Sequence, residues 1–249
     1  MKPTTIDDVI ARLDEIIDWA QSKNSRLGYF PALYRKVTIK VKEGIASGHF
    51  DDGKRMERLD VNFANRYLEA FESYRNQKPT PASWVLSFQA AERWWSIVLQ
   101  HLLLGINAHI NLDLGMAAAQ TSPGNEIHRL KNDFNRINDI LASLIDDVTR
   151  QLTLVWPMLK LLDKIAGKTD DAIINFSINI ARGEAWKVAT EFATLNSSVT
   201  AQRGAELDKH VAWIGGRVRN PGFLIGTVTK AVRLGERGTN AQIIETLSS

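Results

Sequence analysis

Cysteine is absent from the 249 residues. That excludes disulfides, thiolate metal ligands and a cysteine nucleophile, and it fits a reducing cytoplasm, where the protein is expected to reside. No run of five basic residues occurs, and 31 Lys and Arg nearly balance 28 Asp and Glu for a formal charge of +3. The electrostatic footprint of a nucleic-acid-binding protein is missing, so no nucleic-acid partner is expected. A Gly-rich phosphate loop, a dinucleotide fingerprint, a His-Glu-x-x-His pair and a nucleophile elbow are missing too. The segment from Met1 to Asp8 is acidic and amphipathic, without a basic region leading into an apolar one, so a secretory signal is not expected.

Apolar periodicity of the helical kind runs through most of the chain. Ile6, Val9, Ile10, Leu13, Ile16, Ile17 and Ala20 follow the i, i+3, i+4, i+7 rule, with Thr5 as N-cap. Gly28 and Pro31 introduce a second helix to about Ala46, and Leu59, Phe63, Tyr67, Ala70, Phe71 and Tyr74 stripe a third. Pro79 and Pro81 end that third helix. A fourth, capped by Ser83, is expected to run unbroken to Ala119, on the order of 50 Å at 1.5 Å per residue. Ile127, Leu130, Phe134, Ile137, Leu141, Leu144 and Val148 stripe a fifth, and further helices are expected over 158–166, 170–195, 197–215, 224–234 and 241–247. No repeat or linker divides the chain. The expectation is an all-α, single-domain helical bundle spanning residues 1–249 around one long central buried helix.

That fourth helix raises the membrane question. Trp94 to Leu112 is 19 residues without a formal charge, long enough to span a bilayer. It also carries Gln100, His101, Asn107, His109 and Asn111, each costly in lipid, so burial in protein is the expectation and no membrane span.

The same polar row, Asn107-Ala-His109-Ile-Asn111-Leu-Asp113, is the strongest functional signal. Burying an unpaired amide, imidazole or carboxylate costs several kcal/mol, so such groups keep company with partners, an ion or a ligand. At 100° per residue, His101, His109 and Asp113 fall within about 120° of arc, with Gly105 between them for a bend or a close crossing. Gln100, Asn107 and Asn111 take nearly the opposite side. His109 and Asp113, four apart, are placed to share one divalent cation, with Glu126 as a third ligand from the next helix. Asp133 would then be a catalytic base for water activated by the ion. Arg66, with Asn62, Arg55 and Arg58 nearby, makes an anion-binding corner, and Asn107, Asn111 and Arg66 are the candidate ligand-binding residues. The bland reading is a hydrogen-bonded His–Asp pair inside a non-catalytic scaffold, or a small-molecule-binding protein whose buried polar residues are structural. The tryptophans, including Trp84, Trp94, Trp95 and Trp213, are expected to fill gaps between helices, and Arg182 to find a carboxylate.

Residues 24–34 (NSRLGYFPALY), 55–68 (RMERLDVNFANRYL) and above all 102–114 (LLLGINAHINLDL), with a weaker match at 181–186 (ARGEAW), resemble a bacterial domain-of-unknown-function family of all-helical proteins. The resemblance implies an all-α fold and marks Asn107, His109, Asn111 and Asp113 as the family's recurring positions; it brings no established activity. A looser likeness links His109 and Asp113 to helical zinc-dependent phospholipases C and single-strand nucleases, which place His-x-x-x-Asp on a core helix. The second histidine motif and the amino-terminal metal ligand of those enzymes have no counterpart here. A metal-dependent hydrolase acting on a small molecule is the sharper expectation, the scaffold or binding protein its alternative.

Overall fold

Local signals set the helix ends, and long-range contacts set the breaks. Thr5 Oγ1 accepts the Asp8 N–H at 3.1 Å while the Asp8 carboxylate accepts the Thr5 N–H at 3.0 Å, a reciprocal cap that starts α1 (Ile6–Ser22). The structure, a computed structural model, describes residues 2–137, 139–141 and 178–249. After a 3₁₀ turn, Arg26–Gly28, come α2 (Tyr29–Ala46), with Pro31 in its first turn, α3 (Gly53–Arg75) and α4 (Ala82–Ala90). Then α5 (Val98–Thr121) crosses the core, with Asn107–Leu114 wound as π-helix in its middle. A 3₁₀ segment, Gly124–Leu130, leads into α6 (131–137, with 139–141), followed by α7 (Ile178–Phe192), α8 (Ser197–Arg219), α9 (Phe223–Gly235) and α10 (Asn240–Ser248). No strand occurs among the described residues. The fold is all-α, with α5 as its long central buried helix. Helices α2, α3, α4, α7 and α8 pack around α5, and α10 closes over α1 and α2.

The expected helix from Ser83 to Ala119 is two helices, a correction with a tertiary cause. Residues 91–97 turn the chain without proline or glycine. Glu236, far along the chain, accepts the Val98 N–H at 2.7 Å, and Gln100 Oε1 accepts the Ile97 N–H at 3.2 Å, so α5 is capped afresh. The N-cap role given to Ser83 is also corrected. Asp208 of α8 accepts the N–H groups of Ala82 and Ser83 at 2.6 and 3.0 Å, and Ser83 Oγ as well at 2.6 Å.

The core is aliphatic near the α5–α6–α7 end, with Leu114, Ile127, Leu130 and Phe134 fully buried. It is aromatic between α2, α3 and α4, where Phe30, Tyr34, Tyr67, Phe71, Trp84 and Phe88 interlock. Gly105 makes the close α2–α5 crossing that its position suggested: a Cβ there would sit 2.3 Å from Phe30 Cδ2. Trp84 is buried, but Trp94, Trp95 and Trp213 are about half exposed or more, against the expectation that tryptophans fill gaps. Leu144, Val148 and Trp156, and the helix expected over 158–166, lie outside the described residues. α5 is long and apolar enough to cross a membrane by length and composition, and 72% of its most apolar window is buried inside the protein.

Candidate functional site

The π-helical stretch carries the whole polar row. π-Turns are rare and recur at functional sites, because the extra residue per turn re-aims side chains. Here it sends two pairs of side chains to different neighbours. On the α8 side, Asn107 Nδ2 donates to the Val211 carbonyl at 3.0 Å, and Asn111 Nδ2 donates to Asn107 Oδ1 at 3.0 Å. This amide ladder joins α5 to the α8 backbone, so the two asparagines are spent on a helix joint. Gln100 does the same two turns earlier, donating to the Val218 carbonyl at 2.9 Å.

On the α3–α4 side, Asp113 is a node. Its Oδ1 accepts Arg66 Nε–H at 3.0 Å, and its Oδ2 accepts the Trp84 indole N–H at 2.9 Å, with His109 Nδ1 at 3.3 Å from the same oxygen. A carboxylate only accepts, so the imidazole proton sits on Nδ1. His109 stacks on Phe63 with centroids 3.5 Å apart and 8° between planes, with the edges of Phe30 and Tyr34 around it. Burial in that aromatic box holds its pKa below the ordinary histidine value, despite the pull of Asp113, so the ring is neutral. His109 Nε2 and the buried hydroxyls of Tyr34 and Tyr67 find no hydrogen-bond partner among the described residues. His101, on the same arc, instead meets the edge of Tyr29, and burial pushes its pKa down to about 3.

The other expected site residues go elsewhere. Glu126 lies on the exposed 3₁₀ segment before α6, not on an α-helix shared with Asp133, and it pairs with Arg129 at 2.9 Å. It does not complete a ligand set with His109 and Asp113. The reason is local: the chain enters α6 only at Lys131, so Glu126 is out of helical phase with the buried stripe. Asp133 is fully buried, but it clamps the start of α3. It accepts the N–H groups of Asp51 and Asp52 at 2.7 and 3.2 Å and Arg55 Nη2 at 2.7 Å. It shares no partner with Asp113. The expected basic corner therefore splits: Arg55 serves Asp133, Arg66 serves Asp113, Asn62 donates to Thr121 Oγ1 at 2.9 Å, and Arg58 is exposed. Arg182 is buried, donates to the Phe134 carbonyl and lies over the Phe134 ring.

These donors do not suit a divalent cation. Arg66 sits directly on Asp113, and the imidazole nitrogen facing the carboxylate carries a proton, so a metal would displace one cation and deprotonate a donor. Among the described residues, no group of three or more His, Asp or Glu side chains is placed to hold a metal ion.

Sequence reasoning missed a groove on the outer side of Arg66. It encloses about 500 Å³ between α5 and α8 and is lined by Arg66, Leu112, Met116, Leu195, Ala201 and Ala205, among others. Arg66 is a quarter exposed there; its Nε is held by Asp113 and its Nη2 lies 3.1 Å from the Met116 sulfur. Asp208 is the acidic residue of the lining, and both its oxygens already cap α4. No sequence signal joins α8 to Arg66, because the groove forms only once α8 docks on α4 and α5.

Comparison with known proteins matches residues 6–221 to the model of a family of unknown function, DUF5995. The chain belongs to that family. The match takes in α1 through α8, including the Asp113 node and the groove beside Arg66, and it stops before α9. No curated protein and no solved structure matches the chain.

Proposed function

We propose that this DUF5995 protein is a non-catalytic cytoplasmic small-molecule-binding protein whose ligand is an organic anion with an apolar body. One observation carries this reading: a guanidinium held by a buried carboxylate lines an otherwise mostly apolar groove of about 500 Å³. Asp113 fixes Arg66 through Nε, and the terminal nitrogens, of which Nη2 has only the weak Met116 sulfur as acceptor, would recognise a carboxylate by charge-assisted hydrogen bonds. Leu112, Met116, Leu195 and Ala201 then take the apolar remainder, and Met116 is a side chain that adapts to varied shapes. His109 and Trp84 hold Asp113 from behind and do not reach the ligand. The cytoplasmic placement rests on the lack of cysteine.

Calorimetric titration with octanoate, phenylacetate and the matching alcohols tests the reading. Saturable binding of a carboxylate, with its alcohol at least tenfold weaker, is the expected result. Arg66→Gln should weaken binding at least tenfold, the effect of losing a charge-assisted pair worth about 1.5–3 kcal/mol. Ala205→Trp, which fills the groove from α8 without touching Asp113, should abolish it. Equal affinity in wild type and both variants overturns the proposal.

A further inference from the structure

A second cavity, of about 320 Å³, opens where the turn after α4 meets the end of α8 and the start of α9. Its wall brings together Arg93, Arg219 and Lys230 from three separate segments, and no Asp or Glu lines it. Several arginines and lysines elsewhere find carboxylates: Arg233 pairs with Glu236, Arg203 with Glu191 and Glu206, Lys40 with Glu43. These three make no ion pair among the described residues. Arg219 Nε is buried without a hydrogen-bond partner among the described residues.

The rest of the wall is built for an anion. α9 enters the lining at Gly222, Gly226, Thr229 and Lys230, with Gly222 at its N-cap holding φ +83° and its carbonyl accepting the Gly226 N–H at 2.8 Å. Arg93 is steadied by Asn220, whose Oδ1 accepts Nη1–H at 3.2 Å, and Gln100 pins the α8 end through the Val218 carbonyl. Trp95, about half exposed, forms an aromatic side of the cavity with Lys230 Nζ 5.8 Å from its ring.

We infer that this cavity binds the phosphate group of a small phosphorylated molecule, with Arg93, Arg219 and Lys230 as its cationic donors and Trp95 as a flat wall for the organic part. Lys230 and the α9 turn lie beyond residue 221, outside the family match, whereas Arg93, Trp95 and Arg219 lie within it. It is independent of the Arg66 groove.

Thermal-shift and calorimetric titrations with pyrophosphate, inorganic phosphate and adenosine monophosphate test it on the full chain, with sodium chloride at matched ionic strength as the control. The expected result is saturable binding at submillimolar pyrophosphate. Arg219→Gln should weaken it at least tenfold, as should Lys230→Gln, an exposed substitution that leaves folding unaffected. Arg66→Gln and Lys209→Gln should leave it unchanged. Adenosine monophosphate should also quench tryptophan fluorescence, and Trp95→Phe should remove most of that quench. A shift reproduced by sodium chloride, or equal affinity in the Lys230→Gln variant, overturns the inference. Binding of a short oligonucleotide at least tenfold tighter than pyrophosphate overturns the small-molecule class.

Discussion

Replacing Asp113 by Asn exchanges one carboxylate oxygen for an NH2 group and tests whether that carboxylate organises the core. In the native protein three donors converge on it: Arg66 Nε–H at 3.0 Å, the Trp84 indole N–H at 2.9 Å and His109 Nδ1 at 3.3 Å. The asparagine oxygen can keep the Trp84 bond, in which case its amide N–H faces the Arg66 N–H; flipped, it keeps Arg66 and confronts the indole. Either way one buried donor is stranded, at about 1–3 kcal/mol. The charge-assisted bond to Arg66 is lost or weakened too, worth about 1.5–3 kcal/mol in full, discounted because that side chain is 26% exposed. The expected loss is about 3 kcal/mol, or a Tm lower by about 6–12 °C for a chain of this size. Urea unfolding followed by circular dichroism reads the stability, and the near-ultraviolet signal of Trp84 reads the local change. A double-mutant cycle with Arg66→Met should give a coupling of at least about 1 kcal/mol. A loss below about 1 kcal/mol in Asp113→Asn, or no coupling, refutes the node.

Four further outcomes follow from the same contacts. Asp133→Ala should cost about 3–5 kcal/mol, because it leaves Arg55 buried beside two uncapped N–H groups at the start of α3; urea titration checks this, and a near-neutral result removes the clamp. Gly105→Ala should cost about 1–3 kcal/mol or prevent folding, since its Cβ meets Phe30 at 2.3 Å in a filled aromatic core. Asp60 is buried without a countercharge among the described residues, and burial raises its pKa to about 7. A raised folded-state pKa means that the folded protein holds the extra proton, so this contribution is full below about pH 4 and is lost as pH rises through about 7. Asp60→Asn should therefore gain on wild type across that window and hold its advantage above it; a pH-independent difference contradicts the assignment. His101 and His109 carry the opposite sign. Their folded pKa values lie below the ordinary value of 6.5, so they favour the fold above it and weaken it as pH falls, for His101 down to about 3. In the Asp60→Asn background, stability should therefore fall on acidification from pH 6.5 to 5, as read by urea midpoints.

The helices and the polar row were legible because they are written in local order. The α1 stripe and its Thr5 cap, the two prolines after α3 and the buried Ile127, Leu130 and Phe134 all follow from neighbours within a few residues. What was not legible depends on partners far along the chain. The break at 91–97 has no breaker residue; it is made by Glu236 capping Val98 and by Arg233 Nε donating to the Trp94 carbonyl at 2.7 Å. Asp208 capping α4 is the same case. The π-helix escaped because a 100° wheel assumes the α period. The groove on Arg66 and the cavity at Arg219 are made by α8 and α9 docking, and no spacing within one helix records where another will lie.

The most apolar helix of the chain is thus also the one richest in buried polar partners, and the two facts have one cause. A central helix touched from every side has few surface features to fix its rotation or register; uniform apolar packing would tolerate slips. Gln100 and Asn107 reach main-chain oxygens of α8, and Asp113 reaches one side chain each from α3 and α4. Each bond is short-ranged and directional, so a register shift of α5 against either neighbour strands a buried donor or charge, at about 1–3 kcal/mol each. The same polar groups make lipid a poor solvent for this helix, as the sequence implied. Around the Asp113 carboxylate, Arg66 lines a groove while His109 and Trp84 stay buried, which is why the functional proposal falls on that arginine rather than on the histidine beside it.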